Sequence, residues 1–365
     1  TIHSYFKFPP APYATEQVIP KRVETRSDLG MLSCLIIDEI SMVRADLLDL
    51  IDHTLRKVKD RNKPFGGVQI VAVGDLFQLP PIVDTAAKEA FDYKNGYRKL
   101  WESWRGHFFF DAFCMQEVSI SSVEFTKVFR QNTEDHDYIR HLNDLRENRN
   151  VEQCLSYFNQ RHVMVPKEAL WVFPFRKPVE EMNRKELEKI PGDEVVFEAR
   201  KFGSFNYCRE NDLPAPERLC LKPGARVMFL KNHPLLEWVN GTLATIDRII
   251  DGFEVEVTVQ STGKRYCVKY HEWEEFGYNE NRILEKIGSY HQLPFALAWA
   301  FTIHKIQGMT LEQVAYNPQG TFSSGMAYVA LSRTRGINDL YLTVPISPGD
   351  VSVDEQVKTF YNLLF

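Results

Sequence analysis

The 365-residue chain lacks an apolar run able to cross a bilayer: its longest near-apolar stretch, Leu293 to Ile303, has eleven residues where a spanning helix takes about 20. No basic-then-apolar leader stands at its start, which is Thr1, so no secretory signal is read. Cysteine is sparse. The six thiols, at 34, 114, 154, 208, 220 and 267, include no close pair, which argues against a disulfide-stapled scaffold and for reduced, mostly buried thiols in a cytosolic setting. The ten histidines make no HExxH pattern and none is grouped with cysteines at ligand spacing, which argues against zinc. An excess of positive charge is missing as well. With 44 Lys and Arg against 49 Asp and Glu the net charge is −5, which argues against bulk electrostatic wrapping of nucleic acid but leaves room for a local basic groove. Internal repeats and low-complexity tracts are absent. So is the phosphate-cradling pattern GxxxxGK[ST]: the one Gly-Lys pair, Gly263-Lys264, is followed by Arg265.

What is present describes a globular chain of two or three domains, with 44% hydrophobic residues and 25 Phe. Residues 8 to 30 open on Phe8-Pro9-Pro10-Ala11-Pro12 and read as an exposed irregular excursion. Met31 to Ile37 is short, apolar and β-branched, the pattern of a strand buried on both faces of a parallel sheet. Ala45, Leu48, Ile51, Leu55 and Val58 then recur at helical spacing up to Asn62-Lys63-Pro64, and Val68 to Val73 reads as a second strand after Gly66-Gly67. Strand, helix, strand is a βαβ unit and points to α/β architecture. Residues 134 to 160 look helical, and Leu170 to Phe173 starts a second α/β set. Between Arg226 and His271 short strands alternate with Asn240-Gly241, Asp251-Gly252 and Thr262-Gly263, the signature of antiparallel hairpins. Leu293 to Ala300 reads as the packing face of a helix.

Two loops carry chemistry. Asp38-Glu39 closes the first strand, where an Asp suits a magnesium ion and a Glu suits polarising water; the pair serves equally as a strand end and helix cap. Gly74-Asp75-Leu76-Phe77-Gln78-Leu79-Pro80-Pro81 follows the second strand, and its Gln78 amide both donates and accepts, fit for water and a phosphate oxygen. A Pro-stiffened loop is the plainer reading of that segment, made less attractive by two such signals on consecutive strands. Arg56, Lys57, Lys59, Arg61 and Lys63 form a basic run that reads first as a solvated face and second as a DNA track.

Asp38-Glu39-Ile40-Ser41-Met42, Asn62-Lys63-Pro64-Phe65-Gly66-Gly67 and Gly74-Asp75 to Pro81 together resemble the Pif family of DNA helicases, in superfamily one and close to the RecD helicases. Further motifs follow in family order: Thr1-Ile2-His3-Ser4, Phe125 to Gln131, Phe301 to Thr310 and Tyr328 to Arg335. The resemblance implies two RecA-like P-loop NTPase domains on parallel sheets: residues 1–118, with a wedge at about 7–30, and 119–365, with a small antiparallel β-barrel inserted at 238–290. It implies ATP-dependent movement 5′ to 3′ on single-stranded DNA and duplex unwinding in replication, repair or recombination. ATP and Mg2+ are the implied cofactors, single-stranded, forked or structured DNA the partner, and no membrane is involved. A monomer is expected, in the cytoplasm of a bacterium or the nucleus or mitochondrion of a eukaryote. By the same resemblance Asp38 holds the metal, Glu39 polarises water, and Gln78, Arg130, Gln307, Gly308 and Arg333 meet the nucleotide, Arg333 as an arginine finger. Thr1, His3, Ser4, Phe8, Pro80, Thr302, His304 and Lys305 are the implied DNA contacts.

The chain departs from the family in lacking its phosphate loop, which in that family lies shortly before the Thr1-Ile2-His3 motif. The native protein is therefore expected to extend N-terminally, and the chain as written to bind ATP poorly and hydrolyse almost none. Two other readings stay open: a RecD-like subunit of a repair exonuclease, and a nucleotide-independent DNA-binding or scaffold protein.

Overall fold

The computed structural model describes residues 2–6, 8, 27–82, 106–208, 210, 213–278 and 284–365. Thr1 and most of the expected wedge lie outside the described residues. The βαβ reading holds. Cys34–Ile37 and Gln69–Ala72 pair in parallel, Cys34 opposite Gln69 and Ile37 opposite Ala72, with Ala45–Val58 as the crossover helix. That helix buries Leu48, Ile51 and Leu55 against Ile37, Ile40 and Phe65. Gly66 is required where the chain leaves the helix: its φ is +63°, and a Cβ would stand 2.4 Å from the Leu55 carbonyl oxygen.

Burial on both faces of these strands is corrected. Ile37 is buried, but Ile36 is 67% and Val73 41% exposed. Among the described residues the two strands pair only with each other, the helix covers one face, and strand periodicity sends alternate side chains to the other. Phe8 is corrected as well. It is 5% exposed, stacks on Phe6 at 5.1 Å and belongs to the same core, so it is not part of an exposed segment. The basic run is largely occupied by the protein itself: Arg56 pairs with Asp52 and Glu117, Lys63 with Asp60, and the Lys59 ammonium donates to the Leu32 carbonyl. Of the thiols only Cys114 and Cys154 are buried; Cys34 and Cys267 are exposed.

The second body is a four-stranded parallel sheet in the order Ala300–Thr302, Leu170–Phe173, Val314–Tyr316, Leu340–Leu342. Helices His136–Arg146, Val151–Asn159 and Met326–Leu331 pack Tyr138, Phe158 and Leu331 into its core with Val172 and Tyr316. The helix expected over Leu293 to Ala300 is absent. Phe295–Leu297 is instead a strand paired with Arg226–Phe229. An all-apolar run has no polar face to reveal its period, and Pro294 beside it disfavours a helix. The hairpins are present: Arg226–Phe229, Leu243–Asp251, Glu254–Val259 and Arg265–Lys269 pair antiparallel in sequence, and Phe295–Leu297 closes the outer edge of this five-stranded sheet. A second antiparallel sheet joins His271–Tyr278, Leu284–Gln292 and Arg200–Gly203, so strands outside 238–290 contribute to the β module. Among the described residues no helix is long and apolar enough to cross a membrane.

The two bodies are stapled together. The C-terminal helix Glu355–Leu364 stacks Phe360 on Phe110 at 4.3 Å, while Leu79, from the loop after the second strand, is buried in the core of the four-stranded sheet.

Candidate nucleotide site

Glu39 sits where the first strand ends, in the left-handed region at φ 51° and ψ 47°. Non-glycine residues pay of order 1 kcal/mol for that conformation, and such strain gathers at functional positions. The next amide, Ile40 N, donates to the Val73 carbonyl and locks the two strand ends together. Asp38 is exposed and its Oδ1 accepts from Glu39 N at 2.9 Å; a carboxylate of this kind is a suitable oxygen ligand for Mg2+.

Residues from the far end of the chain meet Glu39. The Gln307 amide Nε2 donates to Glu39 Oε2 at 3.0 Å across 268 positions of sequence. Gly308 follows, and its carbonyl accepts from Arg130 Nη2 at 3.4 Å while Arg130 Nε donates to Thr310 Oγ1 at 3.2 Å. Arg333 is fully buried. Its Nε donates to the Val329 carbonyl and its Nη2 to Ser332 Oγ, both at 2.7 Å, but Nη1 has no partner. Burial, then repulsion from Arg130, push the Arg333 pKa down to about 10, against the pull of Tyr328, Glu39 and Asp75. Among the described residues Gln78 Oε1 and Gln307 Oε1 also lack partners, as do side-chain atoms of Ser41, Thr54, His141 and His271. Orphaned groups of this kind are rare in folded proteins and call for a ligand. An anion with several oxygens answers the guanidinium, and water or a nucleotide hydroxyl answers the amide oxygens, so the residues present fit a nucleotide phosphate.

Sequence reasoning thus placed Glu39, Arg130, Gln307, Gly308 and Arg333 in one constellation, with Asp38 beside it. It named Asp75 and Gln131 within their motifs but gave neither a role: Asp75 accepts from Gln78 Nε2 at 3.4 Å and Phe77 N at 3.1 Å, and Gln131 Nε2 donates to the Ser332 and Thr334 carbonyls and ties the Arg130 segment to the Arg333 segment. It missed Gly325. With φ at +75°, a Cβ there would stand 2.5 Å from the Phe77 oxygen and 2.6 Å from that of Gln78. Gly325→Ala is expected to lower stability by ~1–3 kcal/mol, through left-handed strain plus overlap, and to displace the Gln78 loop; denaturant unfolding measures it.

The residues expected on DNA are less uniform. His3 lies in the short helix Ile2–Phe6, half-buried, its pKa lowered by burial and then by Arg44. The backbone of Ser4 belongs to that helix, and Thr1 falls outside the described residues. Phe8, buried against Phe6, presents no face to a base. Pro80 stands beside Gln78. Thr302 caps the helix Ile303–Ile306 that carries His304 and Lys305. Burial and then Arg176 lower the pKa of His304, which stacks on Phe322 at 6.4 Å. A cavity of about 190 Å³ opens between this helix and the β module, lined by Met228, Asn240, Gly241, His304, Lys305, Gln307 and Met309. Gln307 therefore touches both the cavity and Glu39.

Two parallel-sheet bodies that meet at a strand-end carboxylate, two arginines and orphaned amides have the architecture of a RecA-like protein. Residues 1–148 match the PIF1-like helicase model. The ATP-dependent DNA helicase Pif1 of Bdellovibrio bacteriovorus is 31% identical over 353 residues, covering 95% of this chain and 74% of that protein. The human ATP-dependent DNA helicase PIF1 is 32% identical over 364 residues, 97% of this chain, and the chain spans about half, 52%, of its length. Among solved structures, Bacteroides Pif1 bound to single-stranded DNA superimposes with a TM-score of 0.80 at 30% identity, covering 100% of this chain and 83% of that one. Pif1 helicase from Candida albicans gives 0.80 at 27% identity, covering 100% and 84%. The chain belongs to the Pif1-like helicase family.

Proposed function

We propose that this chain is the motor portion of an ATP-dependent DNA helicase that moves 5′ to 3′ on single-stranded DNA and opens duplex at forks, in replication, repair or recombination. The observation that carries the reading is Arg333: a buried guanidinium whose Nη1 has no hydrogen-bond partner and which feels the charges of both Arg130 and Glu39. Relatives support it, since Bacteroides Pif1 has been solved bound to single-stranded DNA and with ADP-AlF3. The first RecA-like domain is taken as residues 1–118 and the second as 119–365, the second carrying the antiparallel β module.

In this reading Asp38 holds Mg2+, Glu39 accepts the proton of the attacking water, and Arg130 and Arg333 offset charge that builds on the phosphate oxygens. Bound ATP supplies the transferable phosphoryl group. Gln307, in contact with both Glu39 and the cavity beside His304 and Lys305, links DNA occupancy to the position of the base. Both arginines and the carboxylate come from one chain, which supports a monomeric motor once the phosphate loop is supplied by the full-length protein. Forked substrates with one single-stranded tail, given to the full-length protein with ATP and Mg2+, test the proposal. Unwinding of the 5′-tailed fork alone is expected; unwinding of the 3′-tailed fork alone reverses the polarity, and ATP-independent binding without unwinding overturns the motor.

A further inference from the structure

Arg146 lies outside every motif named above, yet it is the residue on which three elements converge. It occupies the last turn of His136–Arg146, whose other side chains, Tyr138, Leu142 and Leu145, belong to the core of the second sheet. Its Nε donates to Asp75 Oδ1 at 3.1 Å, and both side chains are mostly buried. Its guanidinium lies 4.7 Å from the Phe77 ring and 5.5 Å from the Tyr361 ring, and those rings stand 5.0 Å apart. The planar cation thus lies against both an aromatic of the Gln78 loop and one of the C-terminal helix, which pack edge to face beside it and hold it next to Asp75. Tyr361 is itself fixed by donating to Glu124 Oε1 at 2.5 Å.

Asp75 passes this order on. One oxygen takes Arg146 Nε and Phe77 N, the other takes Gln78 Nε2 at 3.4 Å. With its amide nitrogen committed to a carboxylate, Gln78 must turn Oε1 the opposite way, and that oxygen is buried with no partner. An amide free to flip would present a donor and an acceptor in turn; one held by Asp75 presents only the acceptor, which takes a hydrogen bond from water and orients it while Glu39 takes the proton.

We propose that Arg146 is a positioning residue for hydrolysis: through Asp75 it fixes the Gln78 amide with Oε1 toward the reacting water, and it does so only when the second sheet is docked on the Gln78 loop. The inference rests on the helicase reading above. It assigns Arg146 no contact with nucleotide or DNA, so its loss falls on the rate and spares binding.

The test uses DNA-stimulated ATP hydrolysis by the full-length protein, with Arg146→Met, Arg146→Lys, Asp75→Asn and the Arg146→Met, Asp75→Asn double variant. Arg146→Met is expected to lower kcat roughly tenfold to a hundredfold, as misplacement of a reacting group does, with KM for ATP and affinity for an oligo-dT strand within about twofold of the parent. Lys restores the charge without the planar stack and recovers part of the rate. The double variant is expected to be no slower than the slower single, because both act through one amide. Unchanged kcat in folded Arg146→Met, or losses that multiply in the double variant, overturns the proposal. Should Arg146→Met fail to fold, the near-isosteric Asp75→Asn decides: an unchanged rate there overturns it equally. Absence of hydrolysis in the parent is a different failure, that of the helicase reading itself.

Discussion

Arg333→Met in the full-length protein is expected to cut ATP turnover by ~10³-fold or more while raising thermal stability in the absence of nucleotide. The two effects have one cause. Arg333 is fully buried, it faces the repulsion of Arg130, and one of its terminal nitrogens has no partner. A charge held that way costs the nucleotide-free protein desolvation energy that two hydrogen bonds, to Val329 and Ser332, offset only in part. Methionine fills a similar volume without the charge, so a gain of about 1 kcal/mol or more is expected, read as a rise in the unfolding midpoint. Phosphate oxygens are what the guanidinium is missing, so Mg-ATP is expected to raise the midpoint of the parent more than that of the variant. Turnover within tenfold of the parent would remove Arg333 from the site. A lower midpoint in the variant would show that its two made hydrogen bonds outweigh the buried charge.

The parts legible in the sequence were those fixed by short-range chemistry. The helix Ala45–Val58 follows from apolar spacing, the parallel pair from two short runs separated by that helix, and the hairpins from Asp251-Gly252 and the turn at Thr262-Gly263. Glu39, Arg130 and Arg333 were legible because motif order supplied what spacing alone does not. What escaped was set by packing between distant segments. The residues Phe295–Leu297 form a strand because Arg226–Phe229 offers an edge to pair with, which no local period announces. Phe8 is buried because Phe6 and the core beneath the first strand receive it, against the exposure its proline-rich surroundings suggest. Arg146 carries no motif at all; its importance is visible only once Asp75, Phe77 and Tyr361 surround it. Gly325 could have been suspected from the small Ser324-Gly325 break ahead of a helix, but not its contact with the Gln78 loop.

Glu39→Gln is the substitution that separates hydrolysis from everything else the site does. The amide keeps the volume of the carboxylate and an oxygen able to accept from Gln307 Nε2, so the contact between the strand end and the helix of His304 and Lys305 survives. It also leaves the left-handed backbone at φ 51° unrelieved, so stability is expected to stay near that of the parent. What it removes is a group that takes a proton from water, a loss that costs ~10²–10⁴-fold in rate for a general base. In the full-length protein, kcat is therefore expected to fall by about 10³-fold with ATP and single-stranded DNA still bound within about twofold of the parent affinity, and unwinding is expected to vanish with turnover. Nucleotide binding by fluorescence titration and single-turnover hydrolysis read the two halves separately. Turnover preserved within a few-fold would pass the base to another group, and Asp75 would be the poorest candidate to inherit it, since Arg146, Phe77 N and Gln78 already claim its oxygens. Glu39→Gly supplies the converse: it relieves the strain and deletes both the base and the Gln307 contact, so it is expected to gain at most ~1 kcal/mol of stability and to lose turnover together with its coupling to DNA.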